Sequence, residues 1–300
     1  MDFNRENAAN YGISCAAGYT VIKYPPRTLF NLYKQNFRKP LSEEENNIYR
    51  QAGLKLYNES DYLKQIAEIK QLDETNFQNI IDEQEQKINR LVKNPIRKFI
   101  YKRRLKRFKI AVKETAEGKN AFCTRGDITK NRKSVISINL NKNAQAIFHE
   151  FGHAVNAYSN DYKTILQKVK SIRKTIPFIF FSAFLTERKN NPVTQKDKAV
   201  NKLKDNCGIL AAAVSVPTLI EEGLASVNGA KLAKNVFDEE MIKKVNKNNL
   251  KAWSTYMLST VLYGTTIQAG VYIKDKMYEK KPVEYLAKLK NNLLNKKDNK

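Results

Sequence analysis

Apolar positions return with two different periods along this chain, and the change of period marks out its elements. Ala144, Ile147, Phe148, Phe151, Val155 and Tyr158 recur at the spacing of one helix face, which predicts an amphipathic helix there. Just upstream, residues 120–124 (Asn-Ala-Phe-Cys-Thr) and 134–140 (Ser-Val-Ile-Ser-Ile-Asn-Leu) read as short strands. A polar loop with Gly126, Asp127 and Asn131 separates them, so a hairpin is expected before the helix. The N-terminal third reads helical, with a capping box at Ser42–Glu45 and an apolar face of Leu63, Ile66, Ile69 and Leu72. Asn94-Pro95 closes a helix, and Pro217 suits the first turn of another that is acidic at its start, as the helix dipole favours.

These elements predict an α+β protein, mainly α. With 300 residues, 42% of them hydrophobic, the chain can bury a sizeable core. The expected organisation is a helical N-terminal region at 1–112, a second domain at 113–280 with an insertion at 160–210, and a basic tail at 281–300.

Charge changes the picture of partners. The formal net charge is +24, and Arg97, Lys98, Lys102, Arg103, Arg104, Lys106, Arg107 and Lys109 alternate with Phe99, Ile100, Leu105 and Phe108. An anionic membrane surface is therefore an expected partner. The plainer alternative is a solvated helix face balanced by Asp73, Glu74, Asp82, Glu83 and Glu85. Nucleic acid is disfavoured as partner, because Lys and Asn are abundant from end to end and there is no zinc-finger spacing, phosphate-binding glycine loop or repeat.

Ala252 to Ile273 runs 22 residues without a charge, long enough to span a bilayer, though its Ser, Thr and Gln content suits a buried core helix equally. Shorter apolar runs lie at Ala8–Ile22, Ile176–Leu185 and Cys207–Ile220. The second of them, with its phenylalanines, is suited either to dip into an interface or to cap a cleft. Lys168, Lys170, Arg173, Lys274 and Lys276 flank these runs and would face the cytoplasm if they were inserted. Cys15, Cys123 and Cys207 have neither metal nor redox spacing, and an odd count fits a reducing compartment. Asp2 and Glu6 do not suit a secretory signal, so the expectation is a cytoplasmic protein, free or at the inner face of a membrane.

The candidate chemistry lies at His149-Glu-Phe-Gly-His153, an HExxH motif that uses both histidines of the chain. On a helix, the i, i+4 spacing stacks the two imidazoles on one face, where they can share one Zn2+ while Glu150 reaches a water on it. Gly152 and Ala154 leave room around the ligands. With no further histidine, a third protein ligand must be a carboxylate, and the run Pro217-Thr-Leu-Ile-Glu-Glu-Gly-Leu-Ala-Ser226 offers two, Glu221 and Glu222.

His149–His153 followed by Glu222-Gly-Leu-Ala-Ser226 resembles the gluzincin metallopeptidases, which pair HExxH with a downstream glutamate. The resemblance covers roughly 120–270, rests on these two short motifs, and selects Glu222 as the third zinc ligand. Thr218, Ala225, Ser226 and Gly229 share the helical side of Glu222 and are small enough to admit a close neighbour. Glu221 then supports the site or faces solvent. In commoner gluzincins the glutamate follows the second histidine more closely, so the interval from 153 to 222 implies an insertion. Several relatives carry an aspartate where this chain has Ser226, and Asn156 is similar to the HExxHxxN form of some membrane-associated zinc peptidases. Asn156 is either a support for a ligand or a plain surface residue.

The resemblance implies a zincin-like core with a small β-hairpin or sheet, hydrolysis of a peptide or protein substrate, and Glu150 as general base toward water on the metal. It implies a substrate rim along an edge strand, for which 134–140 is the candidate. It also implies a second donor to the carbonyl oxyanion; with no histidine left this must be a tyrosine, Tyr256 first and Tyr263 second. The competing class is a non-catalytic basic helical protein that binds a membrane surface or nucleic acid.

Overall fold

A computed structural model describes residues 5–23, 41–92, 94–127, 131–159, 176–284 and 286–288. In chain order these form α1 (Arg5–Lys23), α2 (Glu43–Glu59), α3 (Asp61–Ile66), β1 (Ala67–Gln71), α4 (Phe77–Leu91) and α5 (Pro95–Ala116). There follow β2 (Ala121–Thr124), β3 (Ser134–Ile138), α6 (Leu140–Asn143), α7 (Ile147–Tyr158), α8 (Ile176–Leu185), α9 (Gln195–Ala233) and α10 (Glu239–Glu279). The protein is thus α+β and mainly α, with one small mixed sheet of three strands. Of the expected insertion and tail, residues 160–175, 285 and 289–300 lie outside the described residues, as do Lys168, Lys170, Arg173 and Asp2.

Two compact units are present, and neither is a continuous stretch of chain. One gathers α1, α8, α9 as far as Leu219 and α10 from Thr255 onward. The other gathers α2 to α7, the three strands, α9 from Ile220 and α10 as far as Ser254. The two longest helices therefore each supply residues to both.

In the second unit the strand order is β1-β3-β2. β3 runs parallel to β1, with Ile69 opposite Ile136, and antiparallel to β2, with Cys123 opposite Ile136. This corrects two expectations. Leu63, Ile66, Ile69 and Leu72 do not share one helix: α3 ends at Ile66, and Ala67–Gln71 is a strand whose burial alternates. Ile69 fits a spacing of three and a spacing of two equally, and pairing with β3 decides between them. The second correction concerns the substrate rim, since β3 is the central strand with both its sides paired, and β2 is the edge nearer in sequence to the motif.

The core of this unit is aromatic and aliphatic. Phe148 and Phe151, both fully buried on α7, sit among Leu63, Ile136, Ile138 and Ile147. The Phe148 ring lies 5.2 Å from that of Phe237, and Phe151 stacks on Tyr57 at 6.2 Å. Buried Asn46 on α2 aligns the approach to α7: its amide donates to the Leu140 carbonyl (2.8 Å) and its carbonyl accepts from Ala144 N–H (2.8 Å). The capping box at Ser42 and Glu45 is formed and fixes the start of α2.

α5 carries the basic stretch. Leu105 and Val112 are buried, whereas Phe99, Ile100 and Ile110 are exposed among the bases, so the helix has no single apolar face. Lys109 pairs with Glu85 of α4 at 2.6 Å, and Arg103 and Arg104 lie over the Phe99 and Tyr101 rings.

In the first unit, Ala183, Phe184, Cys207, Ala211, Ile267 and Val271 form a small core with Cys15, Ile22 and Leu203 against it. Its helices cross at glycines. A Cβ on Gly18 would stand 2.5 Å from the Gly270 carbonyl oxygen, and one on Gly208 would stand 2.5 Å from that of Gly264. Lys204, Lys274 and Asp275 are buried together, with Lys204 Nζ 2.9 Å from Asp275 and Lys274 Nζ 3.1 Å from it.

Candidate metal centre

α7 presents His149 and His153 one turn apart, as their i, i+4 spacing requires, and the rings stand edge to face with centroids 4.7 Å apart. The third group arrives because α7 and α9 touch through their main chains. A Cβ on Gly152 would collide with the Ala225 carbonyl, and one on Gly229 would collide with the carbonyl of Phe148. Only at that separation does the short Glu222 side chain reach both rings: its Oε2 lies 3.2 Å from His149 Nε2 and 3.3 Å from His153 Nε2.

The donor geometry fits one tetrahedral cation. Ligand bonds of about 2.0–2.1 Å at tetrahedral angles hold donor atoms roughly 3.3–3.4 Å apart. His149, His153 and Glu222 offer three donor atoms that all lie within 4.8 Å of one another, in a set of two nitrogens and one carboxylate oxygen. That set matches the preference of Zn2+ for nitrogen and oxygen ligands. Burial raises the Glu222 carboxyl, but its contacts with His149 and His153 outweigh that and hold it at about 2, so it offers an anion at neutral pH. For His153, burial pulls downward while Glu222 and Glu150 pull upward and prevail.

Each of these side chains is oriented from behind. Ser226 Oγ donates to the Glu222 carbonyl at 2.9 Å and lies 3.2 Å from His149 Nδ1. With its one hydrogen committed to that carbonyl, the hydroxyl accepts from Nδ1–H, and the Nε2 lone pair is left for a cation. Glu221 stands behind His153, with Oε1 3.7 Å from its Nδ1, and forms an ion pair with Arg125 of the turn after β2. Buried Asn156 donates to the Glu221 backbone carbonyl (3.3 Å) and accepts from Asn228 (2.7 Å), so it fastens α9 to α7 through the main chain.

Glu150 is buried beside these three side chains. The backbone of Cys123 in β2 donates to its carboxylate, while its Oε2 has no hydrogen-bond partner among the described residues. Burial raises its pKa, opposed by the two histidines. A carboxylate with one oxygen held and the other open is suited to accept a proton from a water beside it.

The structure therefore brings together His149, Glu150, His153 and Glu222, and places Glu221 behind His153 and Ser226 behind His149. Tyr256 and Tyr263 belong to the other compact unit, on the part of α10 beyond Ser254, with exposed side chains. Pro217 does not begin a helix but lies inside α9. A proline there removes one backbone hydrogen bond, at a cost of about 3 kcal/mol. Sequence reasoning missed Arg125 and the Cys123 N–H. Neither carries a local signal, since their roles arise only when the turn after β2 meets α9 and when β2 meets α7. No family model, no curated protein and no solved structure matches the chain.

Proposed function

We propose that the protein is a zinc metallopeptidase of gluzincin type, with Zn2+ held by His149, His153 and Glu222 and with Glu150 as general base. The observation that carries this reading is the spacing of the three donor atoms, 3.2 and 3.3 Å from the Glu222 oxygen to the two imidazole nitrogens, beside a buried carboxylate with an open oxygen. A bound Zn2+ supplies Lewis acidity and a water of lowered pKa. Glu150 takes the proton of the attacking water through its open oxygen and returns it to the leaving amine. The Cys123 N–H keeps the other oxygen in place through both transfers.

The packing of α7 beside a sheet whose edge is β2 supports a zincin-like core as a proposal, with the substrate rim on β2 in place of β3. A peptide or protein substrate extends β2 as an added strand, close to Glu150. Three free cysteines are consistent with a reducing, cytoplasmic setting, and the basic surface with work at the inner face of a membrane.

The test is metal content by mass spectrometry together with peptide hydrolysis. Wild type should bind about one zinc per chain, Glu150→Gln should keep the zinc and lose hydrolysis, and Glu222→Ala should lose both. Activity retained in Glu150→Gln would remove the base from the mechanism. A wild type that binds no zinc would move the reading to a non-catalytic basic protein.

A further inference from the structure

We propose that the compact unit built from α1, α8, the first part of α9 and the second part of α10 is embedded in the hydrocarbon of a lipid bilayer. This goes beyond contact with a membrane surface and stands independently of the metal site.

Four observations carry it. The first is what these helices show to their surroundings. Ile209 is 69% exposed, Leu185 55%, Phe181 53% and Val261 50%, and Ile13, Tyr19, Leu210, Val216, Met257, Tyr263 and Tyr272 are exposed as well. Across residues 7–22, 181–186, 206–219 and 255–273 there is no charged side chain, in a chain whose residues are 28% charged. A water-facing bundle of this protein would carry lysines there. α9 is long and apolar enough to cross a membrane, and only 33% of its apolar window is buried, whereas the core helix of a soluble protein would be mostly buried.

The second is how the helices pack. Gly18 meets Gly270 and Gly208 meets Gly264 with no room for a Cβ, so α10 contacts both α1 and α9 main chain to main chain. Where lipid tails are as apolar as leucine, helices gain by such close contact between small residues.

The third is where the hydroxyls go. Ser14, Thr20, Ser215, Thr265 and Thr266 each donate to the carbonyl four residues earlier in their own helix, at 2.6–3.2 Å, including those at exposed positions, and Thr186, just past α8, donates likewise to Ser182. Hydroxyls satisfied in this way need no water. The fourth is the placing of ionisable groups. Lys204, Lys274 and Asp275 face inward and pair with one another, and Lys274 also donates to the Thr186 carbonyl at 2.7 Å. Residues 255–273 span about 28 Å as a helix, close to the roughly 30 Å of a hydrocarbon core.

The test is cell-free synthesis of the full chain in the presence of liposomes, followed by flotation after washes with high salt and with alkaline carbonate. Liposomes of phosphatidylcholine alone are compared with liposomes that also contain phosphatidylglycerol. The expected result is equal flotation with both, resistant to both washes, and a several-fold smaller floated fraction for Ile209→Lys combined with Val261→Lys. Flotation that requires the anionic lipid and is stripped by salt would overturn the proposal in favour of surface adsorption by the basic charge. Protein that stays behind, whether as a detergent-free monomer, a dimer that covers these helices, or an aggregate, would overturn it as well.

Discussion

Gly229 of α9 lies against the main chain of Phe148 in α7, with no space between them for a single methyl group. Gly152 meets Ala225 in the same way one turn along α7. The reach of Glu222 to both imidazoles is thus set by the thickness of two bare backbones.

Gly152→Ala and Gly229→Ala are accordingly expected to push the helices apart, destabilising the protein by about 1–3 kcal/mol and releasing zinc. Gly223→Ala is the control, because a Cβ there makes only ordinary contact with Trp253 at 3.4 Å. Its stability should be unchanged or higher by up to about 1 kcal/mol. Denaturant unfolding with metal analysis of the three variants checks this. Intact zinc binding in Gly229→Ala would show that the helices are free to adjust.

Glu221 and Glu222 are adjacent, both buried, and expected to fail differently. Glu222→Ala removes a ligand. Glu221→Ala removes the support behind His153 and the ion pair with Arg125, so zinc affinity should fall by about 10–100-fold while the stoichiometry at saturating zinc stays near one. Arg125→Ala should cost more stability than a surface substitution, of the order of 3 kcal/mol, because it removes the guanidinium paired with the buried Glu221 carboxylate. Competition titration against a zinc indicator separates the cases; equal affinities for the two glutamate variants would undo the assignment of Glu222.

Ser226→Ala deletes the acceptor for His149 Nδ1–H. The imidazole is then free to change tautomer or turn, and a loss of zinc affinity of about 10-fold is expected, smaller than that for either glutamate. Ser226→Asp, which restores a stronger acceptor, should recover or exceed the wild-type affinity. No change in either variant would mean that the ring is held by packing alone.

The thiol of Cys123 is pushed up to about 12, first by burial and then by the nearby Glu150. At pH 8 it should resist maleimide in the folded protein and label promptly after denaturation. Labelling of native protein, followed by peptide mapping, decides the point, and rapid modification would mean that β2 opens readily.

Much of this site is legible in the residues, because HExxH is a local code. Two imidazoles four residues apart have one arrangement on a helix, and the apolar period around them says that the helix is there. Glu222 needs more than spacing, since only resemblance separates it from Glu221. Arg125 is illegible, because its role depends on a turn after β2 meeting α9, which no local pattern records. In the fold, β1 was hidden because Ile69 continues the helical spacing of Leu63 and Ile66 as readily as it alternates with Ala67. Pro217 misleads for the opposite reason: its local preference for a first turn is clear, yet the helix runs through it.

β2 and the turn that follows it are tied to the site at two points, through the Cys123 N–H to Glu150 and through Arg125 to Glu221. If the pocket holds a cation as proposed, a strand and a pocket joined in this way exchange free energy in both directions. Whatever stiffens the strand must tighten the grip on the cation by the same factor, and an emptied pocket must loosen the strand in equal measure. The edge of the sheet is in that sense a gauge of the pocket, and the exchange rates of its amide hydrogens are the dial.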